Sequence, residues 1–127
     1  MQVVTAWPIT ELASRSFAPR LRDLIESGYQ FHLVFLWLPS AAAAVARVAE
    51  RVRLGGHDVP VATVRRRYKA GLKNFFELYR PLSTTWQVID NSRRGKPKLV
   101  APGSGATTTV VKERAVWQQV CEGANHG

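Results

Sequence analysis

The segment Gln30-Phe-His-Leu-Val-Phe-Leu-Trp-Leu38 constrains the fold of this chain more than any other stretch. Its apolar character is continuous rather than alternating, the pattern of a parallel strand covered on both faces. Pro39 ends it, and Ser40 follows as the N-cap of a helix. A parallel strand reaches its neighbour through a crossover of about a dozen residues or more, usually helical. The segment therefore points to an α/β arrangement. Its longest uninterrupted apolar run, Leu33 to Leu38, is far shorter than the ~20 residues that cross a bilayer.

The 127 residues around that strand form one domain, because this length supports one modest core and not two. Hydrophobic residues make up 46% of the chain, enough to bury such a core. Phe17, Leu21, Leu24 and Ile25 share one face of a helix between Ser14 and Ser27, with Ser14 or Ser16 as N-cap and Gly28 as the stop. Ala41 to Leu54 reads as a second helix, with Val45, Val48 and Val52 on one face and Gly55-Gly56 at its end. Pro60, at the first helical position, opens a third helix that runs to about Tyr79. Val61, Val64, Tyr68, Leu72, Phe75 and Tyr79 form its apolar stripe, and Pro81 closes it. Thr85 to Asp90 reads as a second strand, Asn91 to Lys96 as a basic turn and Pro97 to Ala101 as the hairpin partner. Pro102 to Thr109 is small and polar and reads as a linker to a last helix, Val110 to Glu122. The strands are expected to be parallel neighbours or near neighbours joined by right-handed crossovers.

Eighteen Lys and Arg against nine Asp and Glu give a net charge of +9. Such a charge on a globular chain calls for an anion: a nucleotide, nucleic acid or acidic membrane. Two thirds of the excess lies between Arg47 and Lys73, where eight basic residues meet only Glu50 and Asp58. Arg47 and Arg51 are four apart, and Arg65, Lys69 and Lys73 repeat at the same interval. Each such like-charge pair costs an isolated helix about 0.2–0.5 kcal/mol. A bound polyanion such as a triphosphate relieves that cost through charge-assisted contacts, and a solvated basic face is the plain alternative. His57, beside Gly55-Gly56, fits a phosphate hydrogen bond or a helix-end cap equally well.

Cys121 is the single cysteine, so the chain has no intrachain disulfide, which fits a reducing cytoplasm. His32, His57 and His126 have no carboxylate at ligand spacing, and neither a G-x-S-x-G elbow nor a Cys121–His pair is present; metal and hydrolase chemistry are not expected. Residues 1–7 lack the basic and apolar regions of a secretory signal. Trp37, Trp86 and Trp117 sit in strand or helix patterns and read as core.

Seven motifs occur in a telling order: Ser14-Arg-Ser-Phe17, Phe35-Leu-Trp-Leu-Pro-Ser40, Arg47-Val-Ala-Glu-Arg-Val52, Gly55-Gly-His-Asp-Val-Pro60, Arg65-Arg-Arg-Tyr68, Leu72-Lys-Asn74 and Asp90-Asn-Ser92. Together they resemble the second half of zeta-toxin-like P-loop kinases, a family of predicted bacterial ATPases. The resemblance divides the chain into an unmatched segment (residues 1–9), the C-terminal half of a kinase domain (10–101) and a linker with a C-terminal helix (102–127). It implies a partial nucleotide-kinase-like parallel sheet with flanking helices and a basic helical lid. It also implies ATP and Mg²⁺, with the γ-phosphoryl group passed to a small-molecule hydroxyl, a UDP-amino sugar in known relatives. Arg51 and Arg67 would then be lid arginines closing on phosphates, with Arg65 beside them and His57 in the lid turn, and Asp90 and Asn91 would lie near the nucleotide base. An antitoxin or an N-terminal P-loop half is the implied protein partner.

The departures bear on activity. The chain has no G-x-x-x-x-G-K-[ST], whose backbone cradles phosphates and whose lysine reaches the β and γ groups. Gly103-Ser-Gly105 lacks that lysine and lies downstream of the match. The upstream substrate-activating Asp is missing too, and Ile9-Thr10-Glu11-Leu12 stands where relatives commonly read Glu-Thr-Thr-Leu. The expectation is a truncated or split kinase, cytoplasmic, without a membrane partner and inactive alone. Its sheet lacks the P-loop strand and would expose an apolar edge, which leads to self-association or dependence on a partner. The alternative is a small basic module for nucleic acid or other anions. In that case Tyr68, Phe75 and Tyr79 still read as core, since they lie on the apolar stripe.

Overall fold

The computed structural model describes residues 13–93 and 95–125. The chain runs through α1 (Ala18–Glu26), β1 (His32–Trp37), α2 (Ala41–Arg53) and α3 (Val61–Asn74), then a π turn at Phe75–Tyr79 and the short α4 (Arg80–Leu82). After these come β2 (Thr85–Asp90), β3 (Lys98–Ser104), β4 (Thr107–Thr108) and α5 (Arg114–Asn125). Expectations placed on residues 1–12 and on His126 lie outside the described residues.

The strands form one mixed sheet in the order β1-β2-β3-β4. β1 and β2 run parallel, in register from His32↔Thr85 to Trp37↔Asp90, with α2 and α3 in the crossover between them. β3 pairs antiparallel with β2, as expected of a hairpin partner, and β4 adds antiparallel to β3, so the sheet is mixed and its parallel part is the β1–β2 pair. A shift at Val88/Ile89 bulges the second ladder.

β1 is not covered on both faces. Leu33, Phe35 and Trp37 are buried, whereas Val34 is 51% and Leu36 36% exposed. The helical side chains gather against one side of the sheet, where Leu21, Leu72, Phe75, Leu78, Tyr79 and Val120 meet Leu33, Phe35, Trp37, Trp86 and Val88. Phe75 stacks on Phe35 at 4.8 Å between ring centroids and meets Trp86 edge-on at 5.8 Å. Trp117 of α5 stacks on Trp86 at 5.7 Å. On the other side Leu36, Ile89 and Leu99 fall in one cross-strand row, with Leu36 and Leu99 each 36% exposed. The unbroken apolar run of β1 thus supplies a core face and an open apolar face.

Residues 102–109 are no linker: Pro102, Gly103 and Ser104 complete β3, and Thr107 and Thr108 return as β4. Their small size serves packing, since the Trp86 indole lies against Gly103 and its Nε1 donates to the Gly105 carbonyl at 2.9 Å. The last helix accordingly starts at Arg114 rather than Val110.

The helix starts shift as well. α1 begins after Phe17 with no side-chain cap, because Ser14 Oγ instead accepts from the Ser16 amide and Pro19 fits the first turn. α2 starts as expected, with Ser40 Oγ accepting from the Ala43 amide at 3.0 Å. It ends at Gly55, whose φ of +96° suits glycine. Pro60 is the N-cap residue of α3 rather than its first helical position, and Val61 is 53% exposed rather than part of the buried stripe. Helical structure continues past Tyr79 to Leu82. The wide π turn precedes Pro81, which has no N–H to return to the preceding turn and whose ring crowds it.

Candidate functional site

The carboxyl ends of β1 and β2 carry the best-anchored polar cluster among the described residues. The Asn91 amide donates to the Trp37 carbonyl at 2.9 Å, continuing the parallel pairing past both strands. Asp90 turns the chain there, its Oδ1 accepting from the Ser92 amide at 2.9 Å. Arg47 of α2 donates from Nη2 to the Asn91 carbonyl at 2.8 Å, and Tyr68 of α3 donates from its hydroxyl to the Leu38 carbonyl at 2.7 Å. Burial pushes the Tyr68 phenol above its ordinary range. Both crossover helices are thereby fastened to the strand ends where α/β sheets bind ligands.

The other lid candidates lie on the two crossover helices and the turn between them. Arg51 and His57 share the turn that closes α2, where the Gly56 amide donates to the Arg51 carbonyl at 2.8 Å. Arg51, His57, Arg65 and Arg67 are all exposed. No carboxylate among the described residues lies within ion-pair distance of Arg51, Arg65 or Arg67; the nearby pair is Arg53–Glu50 at 3.8 Å. Arg65 and Arg67 do not share a face. At about 100° per residue they stand about 160° apart around α3, so one phosphate group meets one of them and not both. Asp90 and Asn91 sit at the strand end as the sequence places them, although the Asp90 carboxylate and the Asn91 backbone are engaged in holding the turn.

Two arrangements escaped the sequence reading. Arg15 donates from Nη1 to Asn74 Oδ1 at 3.1 Å, Asn74 Nδ2 donates to the Ala13 carbonyl, and the Tyr79 hydroxyl donates to the Ser14 carbonyl. The Ser14-Arg-Ser and Leu72-Lys-Asn74 motifs, nearly sixty residues apart, thus interlock. Arg80 lies over Phe76 at 4.9 Å and Trp86 at 5.4 Å from the ring centroids, with its Nε buried and unpaired among the described residues. Burial lowers the Arg80 pKa despite the opposing influence of Cys121, while burial raises the thiol of Cys121 against the pull of Arg80. An arginine beside Pro81 gave no sign of this, since the indole it covers arrives from β2.

The described residues hold no group of three or more His, Cys, Asp or Glu that could bind a metal ion. None of the described helices is long and apolar enough to cross a membrane. No family model, no curated protein and no solved structure matches the chain. The likeness to zeta-toxin-like kinases therefore rests on the ordered motifs of the sequence alone.

Proposed function

We propose that this chain is the lid-bearing part of a zeta-toxin-like, ATP-dependent P-loop kinase whose phosphate cradle comes from another polypeptide segment. The observation that carries the reading is the anchoring of a basic helical pair at the carboxyl ends of two parallel strands, through Arg47 to Asn91 and Tyr68 to Leu38. Phosphoryl transfer is catalysed by positioning and by neutralising charge on the transferred group. Exposed guanidiniums with no described carboxylate at ion-pair distance suit that chemistry. Arg51 and Arg65 can reach a polyphosphate from the tip and one flank of the pair, with His57 donating from the turn. Arg67 serves the opposite flank. The family reaction places the γ-phosphoryl group on a small-molecule hydroxyl, and this chain lacks the lysine, the hydroxyl and the Asp needed to perform it alone.

Titration calorimetry of the 127-residue chain with ATP tests the reading. The expected result is weak binding, of the order of millimolar, because the cradle is elsewhere. Arg51→Ala and Arg65→Ala should each weaken it about two- to fivefold, the range for exposed charge pairs. No binding, or binding indifferent to both arginines, would remove the lid assignment. Measurable phosphoryl transfer by the chain alone would remove the split-kinase assignment.

A further inference from the structure

The nucleotide reading leaves three cations of α3 unused. With Tyr68 taken as the inward direction, Arg65, Lys69, Lys73 and Arg66 fall within an arc of about 100° on the outer flank of the helix. All four are exposed. The other residue on that arc is Ala62, also exposed. α3 contains no Asp or Glu, and no described carboxylate pairs with any of the four. Arg65 to Lys73 spans about 12 Å along the axis, with Lys69 midway. That is longer than the phosphate chain of a nucleotide, and it matches about three or four successive phosphates on one strand of a duplex.

From this stripe we infer that α3 binds the phosphate backbone of double-stranded nucleic acid, as an activity that shares only Arg65 with nucleotide binding at the Arg51–His57 turn and rests otherwise on Arg66, Lys69 and Lys73. The choice of partner follows from what the arc lacks. Single strands are held by stacking their bases on exposed aromatic rings. The aromatics of this helical segment are committed elsewhere: Tyr68 to the Leu38 carbonyl, and Phe75, which is 0% exposed, to the core. A lipid surface is held by bulky apolar side chains inserted beside the cations, and this arc offers Ala62 alone. What remains is a row of cations at about 6 Å steps, which suits a regular line of phosphates and releases counterions on binding.

Fluorescence anisotropy of the full chain with a labelled duplex of about 20 base pairs, at a series of salt concentrations, tests the inference. The expected Kd at low salt is of the order of 10⁻⁵ M, with log K falling against log salt at a slope of about −3. Lys69→Gln and Lys73→Gln should each reduce the steepness of that slope by about 1, while Arg51→Gln and Arg22→Gln leave it unchanged. Circular dichroism confirms that the variants, all at exposed positions, are folded. DNA and RNA duplexes run in parallel decide which helix form the stripe prefers. A flat salt dependence, variants that bind like the parent, or complete displacement of the duplex by millimolar ATP would overturn the inference. Tighter binding to a single strand of the same length would also overturn it, as would equal binding to phosphatidylserine vesicles through the same lysines.

Discussion

Gly103 carries the sharpest single-residue demand in the molecule. A Cβ at this position would collide with the Trp86 ring and with the Thr107 carbonyl oxygen. Neither can retreat: Trp86 is fully buried and hydrogen-bonded to Gly105, and Thr107 is fixed by its pairing with Ser104. Gly103→Ala should therefore cost about 1–3 kcal/mol as an overpacking change. In a domain of this size that lowers the melting temperature by roughly 4 °C or more, measurable by calorimetry. An unchanged melting temperature would show that the indole is not seated as described. The sequence alone pointed the other way, because Pro-Gly-Ser-Gly-Ala-Thr has the composition of a linker. Composition registers small side chains without registering why they are small, and the reason here is an indole seventeen positions earlier in the chain.

Elements were legible where their signals were local. The Ser40 cap, the Gly55 stop and the hydrophobic spacing of α3 are each set within a few residues; α2 lies where its signals put it, while α3 starts at Val61 and gives way to the π turn at Phe75. Coverage of β1 was not legible, because the run fixes how apolar the strand is and not how many helices reach it. The site divides in the same way. The concentration of basic residues between Arg47 and Lys73 was visible in the sequence, whereas the opposition of Arg65 and Arg67 comes from their spacing of two on the observed helix. The bonds that fasten the crossover, Arg47 to Asn91 and Tyr68 to Leu38, join residues 44 and 30 apart and left no local trace. Tyr68 offers a test of that fastening. Its phenol is held above the ordinary value of 10.0 by burial. The neutral form is thus favoured by folding, and its contribution is complete below about pH 10 and is lost as the pH rises through the native value. Tyr68→Phe should be about 1 kcal/mol less stable at pH 7 in urea unfolding, and that gap should narrow above about pH 10. Cys121 shifts in the same direction in both proteins, so their difference isolates the phenol. A gap that stays constant with pH would mean that Tyr68 acts by packing alone.

At the scale of the whole molecule, one edge of the sheet and its net charge oppose each other. β1 is the first strand in the sheet order and no described strand pairs with its outer side. The Phe31 and Trp37 carbonyls accept from Thr84 and Asn91, on the β2 side, so alternation turns the backbone groups of His32, Val34 and Leu36 outward. The same three residues carry exposed side chains on the open face, and Val34 and Leu36 make the edge both unpaired and apolar, the combination that templates strand addition between molecules. Against it stands a charge of +9 on every copy. Repulsion between exposed charges is long-ranged at low ionic strength and is screened to roughly 3 Å at 1 M salt, whereas strand pairing and apolar contact are not screened. Self-association should therefore strengthen with salt, opposite in sign to the duplex binding assigned to α3. Size exclusion with light scattering at about 0.05 and about 0.5 M salt should show the average mass rising at the higher concentration. Val34→Lys, which places a cation on the open edge without touching the core, should hold the chain monomeric at both salts with its melting temperature within a few degrees of the parent. A parent that stays monomeric at high salt and high concentration would mean that the edge is closed in solution. A Val34→Lys protein that still associates would place the contact on another surface and leave β1 free for a partner chain.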